Sequence, residues 1–338
     1  MTSMSLALCT YDGERFLGEQ LASITAQTRL PDEVVVCDDG STDTTLAIVR
    51  AFAAEAPFRV RVLEGEGAPL GPARNFERAL REACGEVIVL CDQDDAWPAD
   101  RLERIAHVLA AHPRAAAMFT DANLIDEQSQ PLGETLWEAL GIAGRTERRF
   151  VRGTAAERVR VLCEGNVVTG ATLSVRKSAL RHALPVPDGW LHDYWIATVL
   201  AAVADVVMWP ETLSQYRVHD AQHTGLGTRR PPRWYFLRRR TQLVRRLQKD
   251  ERLELTELAA GYKIVLDHIG ALEEATPDQH AVNYLDTRRR HFEARSRVAT
   301  EGHRASIIVR ELLSGRYHRH SSGFSSALKD LLLRSHGP

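Results

Sequence analysis

Glu86–Trp97 reads EVIVLCDQDDAW, and its reading decides the fold. Val87, Ile88, Val89 and Leu90 form an unbroken apolar run, as expected of a strand buried on both faces of a parallel sheet. Asp92, Asp94 and Asp95 follow at once. Residues two apart on an extended strand point the same way, so Asp92 and Asp94 can converge on one cation. Carboxylates this close repel one another unless a divalent metal or water neutralises them. The plainer alternative is a solvated acidic turn ahead of a helix that begins near Pro98.

Outward from this stretch, strands and helices alternate. SLALC at 5–9 is a short strand that ends in Thr10, Tyr11, Asp12 and Gly13, and helical spacing follows in Phe16, Leu17, Leu21 and Ile24. EVVVC at 33–37 breaks into Asp38, Asp39, Gly40 and Ser41, with Thr42 as the expected N-cap of a helix to about 54. FRVRVL at 58–63 alternates like a strand nearer the sheet edge, and Pro72 opens another helix. Such a chain builds a mostly parallel sheet with helices on both faces. Ligands then bind at the carboxyl ends of the strands, so 10–12, 38–41 and 92–95 should gather along one edge. Neither GxGxxG after the first strand nor GxxxxGK[ST] is present, so glycine-rich phosphate cradles are excluded. An acidic crevice instead suggests that metal handles the phosphates.

Further along, Ala115–Thr120 reads as a buried strand, 125–160 as an irregular insertion, and GNVVTGATLSV at 165–175 as a strand interrupted by Gly170. The glycine marks a place where a backbone or ligand approaches closely. Asp193, in GWLHDYW at 189–195, stands near a helix start, where an N-cap explains most aspartates. The surrounding aromatics suit a sugar ring better than a cap requires. His219, in YRVHD, is a candidate nitrogen ligand to the metal or an ordinary surface histidine, and Arg217 beside it could pair with a diphosphate.

The 338 residues carry a formal charge of −2 that conceals an asymmetry: 21 Lys+Arg against 32 Asp+Glu over 1–228, and 22 against 13 over 229–338. Two regions are expected, a catalytic domain over 1–228 and a basic, mostly helical one over 229–338. The five cysteines form no CxxC and read as small buried hydrophobes of a reducing cytosol. With no long apolar run and no basic-then-apolar start, a cytoplasmic location is expected. RRPPRWYFLRRRTQLVRRLQK at 229–249 holds nine Lys+Arg and no acid. It reads as an amphipathic helix either packed on the acidic domain or lying on the inner face of the cytoplasmic membrane. No recognised nucleic-acid motif accompanies it.

Seven stretches in order resemble glycosyltransferase family 2, the inverting enzymes of GT-A fold: CTYDGERFLGEQLASITAQT (9–28), VVVCDDGSTD (34–43), GPARNFERAL (71–80), LCDQDDAW (90–97), NVVTGAT (166–172), WLHDYW (190–195) and YRVHDAQHTG (216–225). The branch most similar is that of bacterial polysaccharide rhamnosyltransferases. The resemblance implies a Rossmann-like GT-A sheet with a C-terminal helical appendage. It implies a donor such as dTDP-rhamnose or a UDP-sugar, a glycan or lipid-linked glycan acceptor, and Mg²⁺ or Mn²⁺. It places Thr10, Tyr11, Asp39, Arg74, Asp92 and Gln93 at the nucleotide, Asp94 and His219 on the metal, and Asp193 as general base. Asp12 stands where relatives often have Asn and is left out of the site. Competing readings are a nucleotidyltransferase, which lacks its glycine-rich basic signature here, and a catalytically idle nucleotide- or glycan-binding module.

Overall fold

A computed structural model describes residues 2–65, 67–142, 144–165, 167–220, 222, 254–298 and 304–332. The chain divides into two compact units, Met1–Thr228 and Arg229–Pro338.

The first unit is built on an eight-stranded mixed sheet. Its strands are β1 (Met4–Thr10), β2 (Glu33–Asp38), β3 (Arg59–Leu63), β4 (Val87–Asp92), β5 (Ala115–Ile125), β6 (Pro131–Thr135), β7 (Leu173–Arg176) and β8 (Asp205–Arg217). The order is β3-β2-β1-β4-β7-β5-β6, with β8 pairing β5. The first four strands are mutually parallel. β7 runs antiparallel to both β4 and β5, while β8 is parallel to β5. The apolar runs explain this placement. β1, β2 and β4 need cover on both faces, and Leu6, Leu8, Val34, Val36, Val87 and Val89 are fully buried. β3, which alternates, lies at the edge and is half-exposed.

Helices cover the sheet: α1 (Leu17–Thr25), α2 (Thr45–Glu55), α3 (Pro72–Glu82), α4 (Arg101–Ala111), α5 (Leu136–Leu140), α6 (Arg145–Arg152), α7 (Ala155–Glu164), α8 (Lys177–Ala183) and α9 (His192–Val203). Three local expectations are corrected. The 125–160 stretch is ordered into β6 and α5–α7, because Thr135 and Thr154 each form a full capping box with a glutamate three residues on. Thr42 does not cap α2: the helix starts at Thr45, and the Thr42 N–H instead donates to Asp12 Oδ1 at 2.7 Å. The strand expected across Gly170 is a 3₁₀ turn, Gly170–Thr172, with β7 only after it.

In the second unit a helix over 254–270 (α10) is followed by α11 (Gln279–Val298), α12 (Arg304–Leu313), α13 (Arg316–His320) and α14 (Phe324–Leu332). Val298, Ile308, Tyr317 and Ala327 form its small apolar centre. A buried polar network joins the helices: His291 lies 2.8 Å from Glu311 and 2.7 Å from Ser321, and Arg295 donates twice to Asp330. The 229–249 segment, expected as an amphipathic helix, lies outside the described residues. Among the described residues no helix is long and apolar enough to cross a membrane.

Candidate functional site

The sheet register brings the polar clusters together. Thr10 pairs with Asp38 across β1 and β2, and Cys9 with Asp92 across β1 and β4. Three strands therefore stop side by side, and the acidic stretch that follows β4 opens onto the ends of β1 and β2.

The two carboxylates of greatest chemical interest meet at one turn. The Gly170 N–H donates to Asp193 Oδ2 at 2.9 Å, and Asp92 Oδ2 lies beside the same turn, 3.8 Å from where a Cβ on Gly170 would stand. Asp193 is thus not the N-cap of α9, a position held by Leu191, but a first-turn residue whose side chain is drawn to the 3₁₀ turn. Burial, then the charges of Asp94 and Asp193, hold the Asp92 carboxyl well above the usual carboxylate range. Burial, then the charges of Asp94 and Asp92, do so for Asp95. This is a crowded acidic site whose chemistry favours a cation.

Asp94 and His219, 125 residues apart, are in contact: His219 Nε2 lies 2.8 Å from Asp94 Oδ2. The imidazole is held against the Phe16 ring at 4.8 Å, and its Nδ1 has no hydrogen-bond partner. No group of three His, Cys, Asp or Glu side chains with metal-binding geometry occurs among the described residues. At this point the described residues bring together one carboxylate and one imidazole, a set that suits a cation whose remaining ligands are phosphate oxygens and water.

Two arginines hold this arrangement from beneath. Arg217 is fully buried, its guanidinium donating to Asp94 O (2.7 Å), Asp126 O (3.0 Å), Ser129 Oγ (2.9 Å) and Glu19 Oε2 (2.5 Å). It also lies over the Phe16 ring. The expected pairing of Arg217 with a diphosphate is corrected, because the side chain is spent inside the protein on fastening the Asp94 backbone. Arg101, also fully buried, donates to Ala171 O at 2.7 Å and so supports the turn beside which both carboxylates lie. Arg217→Met should leave the part-buried Asp94 and Asp126 carbonyl oxygens unpaired and destabilise the fold by roughly 2–6 kcal/mol, at about 1–3 kcal/mol for each orphaned group. Denaturant unfolding measures this, and a loss under about 1 kcal/mol would mean that water replaces the guanidinium.

The remaining expected nucleotide residues sit close by, most of them engaged. Gln93 clamps Tyr11, with Tyr11 N–H donating to Gln93 Oε1 and Gln93 Nε2 donating to Tyr11 O, both at 2.9 Å. A Cβ on Gly13 would lie 2.1 Å from Gln93 Oε1, so only glycine admits this clamp. Asp39 accepts from the Leu70 and Gly71 N–H groups at 2.7 and 2.8 Å. Arg74 pairs with Glu77 and with the exposed Asp188. Thr10 is 2% exposed and its hydroxyl has no partner. Asp12, at a φ of +43°, accepts from the Thr42 N–H at 2.7 Å.

Sequence reasoning missed His192. It is buried and stacked on Phe76 (4.1 Å, 18°), and neither ring nitrogen has a partner. A Cβ on Gly170 would stand 2.9 Å from His192 Nε2 and 3.8 Å from Asp92 Oδ2, so the imidazole lies beside the carboxylate turn. Burial lowers its pKa, leaving a neutral ring with one donor and one acceptor. Its position beside Asp193 was the only signal.

Known proteins share this architecture. The chain is 26% identical over 238 residues to an uncharacterized Mycobacterium tuberculosis protein, Rv1520, a match covering 67% of this chain and 62% of that protein. It is 30% identical over 151 residues to the dTDP-rhamnosyl transferase RfbG of Shigella flexneri, covering 40% of this chain and 50% of that one. Among solved structures, S. aureus TarS 1–349 in complex with UDP-GlcNAc superposes with a TM-score of 0.57 at 14% identity, covering 97% and 91% of the two chains. The mannosyltransferase PcManGT from Pyrobaculum calidifontis, in complex with GDP-Man and Mn²⁺, gives 0.50 at 18% identity, covering 98% and 87%. At these identities the superpositions establish a GT-A fold. The family description Glycosyl transferase family 2 matches residues 5–181, more than half of the chain, including β1–β4, the DQD stretch and the Gly170 turn; the chain belongs to that family.

Proposed function

We propose that the protein is an inverting glycosyltransferase, with 1–228 as its catalytic domain and 229–338 as an appendage. It moves a sugar from a nucleotide-sugar donor to a glycan hydroxyl, presented on a lipid-linked acceptor at the inner face of the cytoplasmic membrane. The observation that carries this reading is the pair of carboxylates, Asp92 and Asp193, drawn to the one Gly170 turn, with Asp94 and His219 in contact nearby.

Asp94 and His219 would hold Mg²⁺ or Mn²⁺, which would supply neutralising positive charge to the leaving diphosphate. The chain's own residues do the rest. Asp193 accepts the proton from the acceptor hydroxyl as the new bond forms. Asp39, with two N–H donors already bound, keeps acceptor capacity for an N–H of the base. Thr10 offers an unpaired hydroxyl, and Gln93 fixes the backbone of Tyr11 so that both line the nucleotide. Arg74 reaches a diphosphate by releasing Asp188, an exposed partner whose loss costs about 0–1 kcal/mol.

L-Rhamnose from dTDP-rhamnose is the donor supported by the sequence resemblance and by the partial similarity to RfbG. A UDP-sugar is the alternative, in keeping with the nucleotide held by TarS. A panel of dTDP-, UDP- and GDP-sugars with Mn²⁺, followed for nucleoside diphosphate release with and without glycan acceptors, tests the reading. Acceptor-dependent release from one donor supports it; tight binding of a donor without turnover on any acceptor points to an idle binding module.

His192 supplies a further contact to a sugar hydroxyl, which can both donate to and accept from a neutral imidazole. His192→Phe keeps the stacking on Phe76 and removes both nitrogens. Stability should hold while kcat/KM falls about tenfold, the worth of one hydrogen bond. Unchanged kcat/KM would leave His192 a packing residue only.

A further inference from the structure

Helices α12 and α14 bury part of their apolar residues but leave others in solvent. α14 turns Ala327 and Asp330 inward, at 4% and 0% exposure, and sends Phe324, Leu328 and Leu331 to solvent at 69%, 57% and 54%. Those three recur at i, i+4 and i+7, which places them on one helical face. α12, packed against α14, buries Ile308 and Glu311 but exposes Val309 at 52% and Leu313 at 84%. The inward carboxylates are fully employed. Glu311 meets His291 at 2.8 Å and Arg316 at 2.6 Å, and Asp330 meets Arg295 at 2.7 Å and Tyr317 at 2.5 Å.

The charge pattern completes the picture. Glu311 and Asp330 are the only acidic residues of 304–332, and both are buried. Arg310 and Arg319 are exposed, and Arg316 and Lys329 half-buried. The outer side of these helices therefore offers large apolar groups and positive charge with no exposed carboxylate. Scattered surface leucines need no explanation, but a whole apolar helix face does.

We propose that α12–α14 form a docking face for an anionic lipid bilayer, with Phe324, Leu328 and Leu331 entering the interface and the arginines among the headgroup phosphates. Charge argues against a two-fold contact with a second copy of the chain as the occupant. A two-fold contact would set this face against itself, arginine against arginine, with no carboxylate on either side to pair them. The inference deepens the reading of a membrane-presented acceptor, yet its test uses neither donor nor acceptor, so a failure here and a failure of the transferase reading are separate results.

The test is co-sedimentation of the full chain with vesicles of phosphatidylglycerol and phosphatidylcholine, or of phosphatidylcholine alone, across a salt series. Wild type should bind the anionic vesicles and lose binding as salt rises. A variant carrying Phe324→Ser, Leu328→Ser and Leu331→Ser should bind at least about tenfold less, with unchanged circular dichroism because all three side chains are more than half exposed. Arg310→Gln with Arg319→Gln should flatten the salt dependence. The proposal is overturned if the serine variant binds like wild type, if neutral and anionic vesicles bind equally, or if lipid-free wild type is an oligomer that the serine variant converts to monomer.

Discussion

Asp94→Ala should abolish transfer, lowering kcat/KM by about 10³-fold, since charge stabilisation worth several kcal/mol is lost from the leaving diphosphate. Asp94 is the exposed end of the acidic stretch, with a side chain 19% accessible beside the 6% of His219, so the pair faces the crevice while Asp95 is buried behind it. The substitution removes one of the two side chains proposed to hold the metal and leaves the Arg217 anchor, which bonds to the Asp94 carbonyl oxygen, in place. Folding should therefore be nearly unaffected. Calorimetry with a nucleoside diphosphate separates the role from a general one. Affinity should drop in the presence of Mn²⁺ and change little in its absence. Full activity in the variant, or undiminished wild-type activity in excess chelator, would remove the metal from the account.

The second large effect belongs to Asp193→Asn, expected to cost about 10²–10⁴-fold in kcat with donor affinity preserved. The carboxylate accepts from Gly170 N–H at 2.9 Å and Tyr194 N–H at 2.6 Å, and an amide oxygen can accept one of those bonds and keep the turn in place. What asparagine cannot do is take the acceptor's proton. Donor affinity that collapsed in step with turnover would show instead that Asp193 only positions the Gly170 turn and with it Asp92.

The frame was legible because its signals are local. Unbroken apolar runs announce buried parallel strands, and their abrupt polar ends at Thr10, Asp38 and Asp92 mark one sheet edge. The gathering of those ends, and the meeting of Asp94 with His219, came from topology and resemblance together. Three things were hidden for a common reason, namely that they depend on which long side chain reaches which distant backbone. Arg217 resembles a phosphate ligand in sequence, but it sits under Asp94 because β8 runs the length of β5 and brings it there. Arg101 looks like an ordinary first-turn helix residue, and its reach to Ala171 depends on the packing of α4 against β8 and the turn. His192 hides beside a more conspicuous aspartate, and only the missing side chain of Gly170 makes room for its ring. The antiparallel insertion of β7 between β4 and β5 was likewise unreadable, since a four-residue strand after a glycine turn carries no orientation of its own. The capping boxes at Thr135 and Thr154, by contrast, were in plain view and could have converted the supposed irregular insertion into helices.

The central claim is that the crevice at the ends of β1, β2 and β4 holds a metal and a nucleoside diphosphate between Asp94, His219 and the Gly170 turn. Anomalous diffraction from crystals grown with Mn²⁺ and a nucleoside diphosphate measures it directly. The account predicts one strong manganese peak with Asp94 and His219 both as ligands and the diphosphate beside it. A diphosphate bound in this crevice with no manganese at Asp94, or one bound elsewhere on the chain, would contradict it.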